Sequence, residues 1–193
     1  LIEAGADKEA RSAEAMTPIH YAAQQGHVKV VTTLVEAGVD KEARSADAMT
    51  PLHLAAEHGQ LEVVTMLLES GADKEALAAD GATPLHCAAF EGHEEVMRTL
   101  VEQGANKEAR SDQDMTLLHF AAQQGHLKAI KLLAQLGVDK EAKDVNGATA
   151  LHFAAQQGHE EAIKLLARLG VDKDAKDVNG ATALHYAAGH GHV

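Results

Sequence analysis

The frame Thr17-Pro18-Ile19-His20-Tyr21-Ala22-Ala23 returns from Thr50, Thr83, Thr116, Thr149 and Thr182, and each step is 33 residues with no insertion. A strict period of this size rules out most folds. Each unit has to be one supersecondary element whose apolar face is buried against the next unit. A chain of 193 residues is otherwise read as one or two globular domains. The unbroken period points instead to one array over residues 1–193, with partial repeats at both ends.

The residues of one unit predict its elements. Thr17 is placed to cap a helix N-terminus, and Pro18 falls at the first helical position, where its missing N–H costs nothing. The first helix should run to about Gln25 and stop at Gly26. Gly26-His27 turns the chain into a second helix from about Val28 to Glu36, with Val30, Val31 and Leu34 on one face. Gly38 supplies the left-handed residue that ends it. The polar stretch from Asp40 to Met49 should project as a hairpin-like finger. Helices of two to three turns are marginal alone in water, so stacking must stabilise them. The alanine pair lets the helices approach closely, and Leu34, Leu67, Leu100, Leu133 and Leu166 are equivalent core positions.

Composition narrows the function. Apolar residues make up 46% but aromatics only 3%, with no Trp, so the core must be aliphatic. A net charge of −12 argues against nucleic acid or an anionic membrane surface as partner, since either needs a basic stripe. The single Cys87 excludes an internal disulfide framework and fits a reducing, intracellular compartment, most simply the cytoplasm. No apolar run is long enough to span a bilayer. The chain opens late in a repeat and stops at His192-Val193, where a second helix should begin. Neither end carries the polar face that caps a stack, which suggests a longer array or one continued by another chain.

Thr-Pro-Leu-His-x-Ala-Ala, then Gly-His, then Leu-Leu-x-x-Gly-Ala-Asp, in register six times, resembles the ankyrin repeat family over essentially the whole chain. The resemblance implies an all-α solenoid of helix–turn–helix units with projecting β-hairpin-like finger loops, first helices and fingers lining a concave side. It also implies that the Thr-Pro-Leu-His imidazole bonds to the neighbouring finger. Some positions depart from the family pattern. Leu117, Ala150 and Ala183 replace the proline. Asp80-Gly81, Asn146-Gly147 and Asn179-Gly180 suit a finger tip that needs φ > 0. Ala15 and Ala48 replace that glycine, so their tips should be strained or differently turned. Lys41-Glu42 and Lys74-Glu75 stand where the family usually has Val-Asn.

Residue chemistry gives no sign of an enzyme. His20, His53, His86, His119, His152 and His185 recur once per repeat, as do His27, His93, His126, His159 and His192. Stacked copies lie about 8–10 Å apart, too far for shared ligation. Only His58 and His190 fall outside those two frames. Cys87 occupies the variable core slot shared with Tyr21 and Leu54. Asp40, Glu42, Asp73, Glu75 and their counterparts read as a solvated charge ladder alternating with Lys. No catalytic residue, cofactor or metal ligand is assigned.

Recognition is the remaining function class. The family's contact positions, carried onto this chain, select Leu77, Met49, Met115, Arg44 and Arg110 from the fingers. From the helices they select Phe90, Gln123, Gln124 and His58. Repeat three stands out, with Leu77 in place of a basic residue and Phe90 in place of a polar one. The expected function is a non-catalytic scaffold for a protein partner. End-to-end self-association through uncapped repeats is the alternative.

Overall fold

The computed structural model describes residues 5–192, and among them the chain forms eleven α-helices and no strand. First helices are α1 (Pro18–Gln24), α3 (Pro51–Glu57), α5 (Pro84–Glu91), α7 (Leu117–Gln123), α9 (Ala150–Gln156) and α11 (Ala183–Gly189). Second helices are α2 (Val28–Glu36), α4 (Leu61–Glu69), α6 (Glu94–Glu102), α8 (Leu127–Gln135) and α10 (Glu160–Arg168). The fold is the expected all-α solenoid of helix–turn–helix units.

Contacts divide the chain into two compact units, Leu1–Ala88 with Glu95–Ala105 and Ala89–Glu94 with Asn106–Val193. In the first unit α1 packs on α3 and α2 on α4. In the second, α7 packs on α9, α9 on α11, and α8 on α10. Both units bury thin aliphatic layers. Ala22-Ala23, Ala55-Ala56, Ala121-Ala122 and Ala154-Ala155 are all buried, as are Leu34, Leu67, Leu100, Leu133 and Leu166.

Tyr21, expected in a core slot, is 44% exposed, and a second expected core residue is not buried either. Val30 is 47% exposed, whereas Val31 and Leu34 are covered. Its counterparts Val63, Val96, Ala129 and Ala162 are almost completely buried. Val63 lies on α4, on which α2 packs, whereas no second helix precedes α2 among the described residues. Leu184 is likewise 75% exposed, while its counterparts Ile19, Leu52, Leu85, Leu118 and Leu151 are buried.

The finger tips settle a question that the sequence left open. Ala15 and Ala48 adopt φ of 56°, the same left-handed turn that Gly81, Gly147 and Gly180 make. Asp114 does the same at 56°. The turn geometry is therefore shared and the alanines are strained, because a Cβ in that region costs about 1–2 kcal/mol. Ala48→Gly is expected to stabilise the protein by about 0.5–1 kcal/mol, the relief of strain exceeding the added unfolded-state entropy. Asp114→Gly should gain less, since Asp tolerates the left-handed region better than Ala does. Urea titrations of both variants check the difference.

Candidate functional site

Within each unit, the first helices and fingers are held in place by bonds that run from one repeat to the next. The imidazoles of His20, His53, His119 and His152 each close their own helix start and reach the following finger. His20 Nδ1 accepts the Thr17 backbone N–H (3.1 Å), and its Nε2–H donates to the Met49 carbonyl (3.1 Å). His53, His119 and His152 repeat this on Ala82, Ala148 and Ala181. Since Nδ1 accepts and Nε2 donates, the network assigns the neutral Nε2–H tautomer. Burial holds His20, His53 and His119 in that form: it lowers the pKa of His20 and His119, and it pushes His53 down to about 4.

The charged finger residues do more than their spacing suggested. Several members of the partly exposed ladder of Lys and Glu also act as staples. Lys8 and Lys107 donate to the carbonyls of Ala37 and Leu136, and Lys140 donates to Leu169 (2.6 Å). All three carbonyls belong to C-cap residues of second helices, where a cation also meets the negative end of the helix dipole. The glutamates bind the next finger. Glu9, Glu42 and Glu141 each accept the backbone N–H of the Asp that opens the following finger, at 2.9, 3.0 and 2.8 Å. The signal for this role was in the sequence, because a solvated ladder has no reason to keep Lys before Glu in each of the first five fingers.

Arginine completes the pattern. Arg44 Nη1 donates to Ala48 O (3.1 Å) in its own finger and to Leu77 O (2.5 Å) in the next. Arg110 does so with Asp114 O (3.2 Å) and Lys143 O (3.0 Å). Neighbouring tips are also joined by single backbone bonds, Ala79 N–H to Asp47 O (2.9 Å) and Val145 N–H to Gln113 O (3.1 Å). One bond per pair is too few to make a sheet.

The nine candidate contact residues divide between the two units. The first holds Leu77, Met49, Arg44 and His58; the second holds Phe90, Met115, Arg110, Gln123 and Gln124. Leu77 is 51% exposed, its side chain in solvent while its carbonyl holds Arg44. His58 is exposed, its Nδ1–H donating to Leu54 O (3.1 Å) and its Nε2 accepting from Gln24 (3.2 Å). Met49 and Met115 are half-buried, while Arg44 and Arg110 present exposed guanidinium edges despite their carbonyl bonds. Phe90 is half-buried with its ring edge-on to Phe120, the centroids 6.1 Å apart. Gln124 is exposed, and Gln123 is half-buried with its carbonyl accepting His159 Nε2–H (2.9 Å).

Among the described residues no group of three His, Cys, Asp or Glu side chains is placed to hold a metal ion, and no helix is long and apolar enough to cross a membrane. A family model described as ankyrin repeats matches the chain in three copies, over residues 1–78, 74–144 and 118–193. No curated protein matches it.

Proposed function

This chain belongs to the ankyrin repeat family, and from that premise we propose that it is a non-catalytic scaffold binding a protein partner on its finger and first-helix face. Ankyrin repeats mediate protein–protein interaction, and this family is typically non-catalytic. The observation that supports the choice of face is Leu77. It leaves an aliphatic side chain half in water at a finger position where Arg11, Arg44 and Arg110 spend theirs on the next finger. An exposed apolar group among stapled polar ones is the kind of anchor that interfaces use. Arg44, Met49 and His58 surround this role in the first unit, and Phe90, Met115, Arg110, Gln123 and Gln124 supply it in the second.

Leu77→Arg is expected to weaken partner binding by about 1–3 kcal/mol without changing helix content. Phe90→Ala should weaken it by a similar amount, with a small loss of stability because its ring packs on Phe120. Calorimetric titration against the captured partner, alongside circular dichroism, reads both effects. Unchanged affinity in the double variant would discard this face.

A second reading, end-to-end self-association, is favoured by the exposure of Leu184 at a position buried in the five preceding repeats. The stub Leu1-Ile2, which also suggested it, lies outside the described residues. Sedimentation across a concentration series tests it, and a constant monomer mass would end it.

A further inference from the structure

Buried histidines that each bond to two repeats tie proton uptake to stacking. Nδ1 of His20, His53, His119 and His152 already accepts a Thr N–H, with the Thr hydroxyl 2.8–2.9 Å away. A second proton at Nδ1 would face that N–H directly. The ring would have to leave its pocket, giving up both the helix start and the carbonyl of the next finger. This applies to both units, but their surroundings differ.

The sixth residue of the finger packed on each ring differs between the two units. Opposite His20 and His53 those positions hold Ser45 and Ala78; opposite His119 and His152 they hold Asp144 and Asp177. Both aspartates are nearly buried and fixed in their turns. Asp144 Oδ1 accepts the N–H groups of Asn146 (2.9 Å) and Ala148 (2.7 Å), and Asp177 Oδ1 accepts those of Asn179 and Ala181, both at 2.8 Å. The other charged groups facing the rings are Arg11 and Asp40 at His20, Arg44 and Asp80 at His53, and Arg110 at His119. His119 faces Asp144 as well as Arg110, whereas the equivalent positions opposite His20 and His53 carry no carboxylate. His152 faces Asp177, and the edge of its ring meets Tyr186, whose hydroxyl donates to Asp177 Oδ2 (2.9 Å).

We propose that the histidine ladder makes repeat stacking acid-labile, and that on acidification the unit holding His20 and His53 opens before the unit holding His119. The sign follows from which state binds protons. A ring whose folded pKa lies below the ordinary 6.5 stays neutral in the folded chain while the unfolded chain takes up a proton. Stability is therefore complete above about pH 6.5 and declines as pH falls toward the folded value, about 4 for His53. Carboxylates of ordinary pKa stay charged above about pH 5, so the window between about 6.5 and 5 reports mainly on imidazoles. Asp177 also stays charged there: burial opposes its charge, but hydrogen bonds from Ala181, Tyr186 and Asn179 hold it below the usual carboxylate range.

Hydrogen exchange with segment resolution, corrected for the intrinsic pH dependence of exchange, tests this between pH 7.5 and 5. Amides of α3 and α4 are expected to lose protection at higher pH than those of α7 and α9. The double variant Ser45→Asp with Ala78→Asp should move the midpoint of the first unit down by about half a pH unit. The converse pair, Asp144→Asn with Asp177→Asn, keeps the oxygen acceptors and should bring the second unit's loss up toward that of the first. Loss at one common pH, earlier loss in the second unit, or midpoints unmoved by either pair would overturn the proposal.

Discussion

Leu133→Ala is expected to cost about 2–5 kcal/mol of stability. Leu133 sits fully buried in α8, which packs on α10, and its layer is built from aliphatic side chains alone. Truncation removes apolar burial and leaves a gap that a close-packed aliphatic core fills poorly. Each helix of this length depends on such contacts rather than on its own propensity. In a repeat array the damage should also be local first, because stability is a sum of repeat and interface terms. Urea unfolding measures the total, and hydrogen exchange should show the loss concentrated in α7 to α10. Lys131→Ala, exposed on the same helix, is the control and should stay within about 0.5 kcal/mol.

Gly125→Ala should be nearly as damaging, at about 2–4 kcal/mol, although it adds only one carbon. Two effects combine. Gly125 holds φ of 71°, where an L side chain costs about 1–2 kcal/mol. An added Cβ would also lie 2.7 Å from His159 Cγ and 2.8 Å from Nδ1, and overpacking of this kind costs about 1–3 kcal/mol. His159 cannot simply swing away, because its Nε2–H bonds the Gln123 carbonyl. Gly137→Ala separates the two contributions. Its φ of 73° imposes the same strain, but nothing lies within 4 Å of the added carbon. It should lose only about 1–2 kcal/mol by chemical denaturation. Equal losses at the two sites would mean that the contact with His159 carries no energy.

Much of the fold was legible because its determinants are local. The second helix was expected from about Val28 to Glu36 and occupies those residues. A Thr cap, a Pro at the first turn and a left-handed Gly act within a few positions, so their meaning survives outside the folded state. The histidine bond to the following finger was also foreseen, through the family resemblance, and the structure shows it at His20, His53, His119 and His152.

The candidate site was less legible. Leu77 and Phe90 look alike in a sequence, as apolar residues at polar positions. Leu77 is half in water, whereas the ring of Phe90 lies against Phe120 of the following repeat. Whether a side chain at such a position is free depends on what stands in the next repeat.

The sequence by itself determined the period, the elements of each unit and the family. These follow from caps, breakers and apolar spacing, all local to one repeat. Only the tertiary structure decided the fate of the charges and of the edges. Lys140, Glu141 and Arg110 find their partners 29, 31 and 33 residues away. Val30 and Leu184 lie exposed at positions whose counterparts in the other repeats are buried. A side chain's type sets which bonds it is able to make, but the adjacent repeat decides whether a carbonyl, an N–H or water is there to receive it.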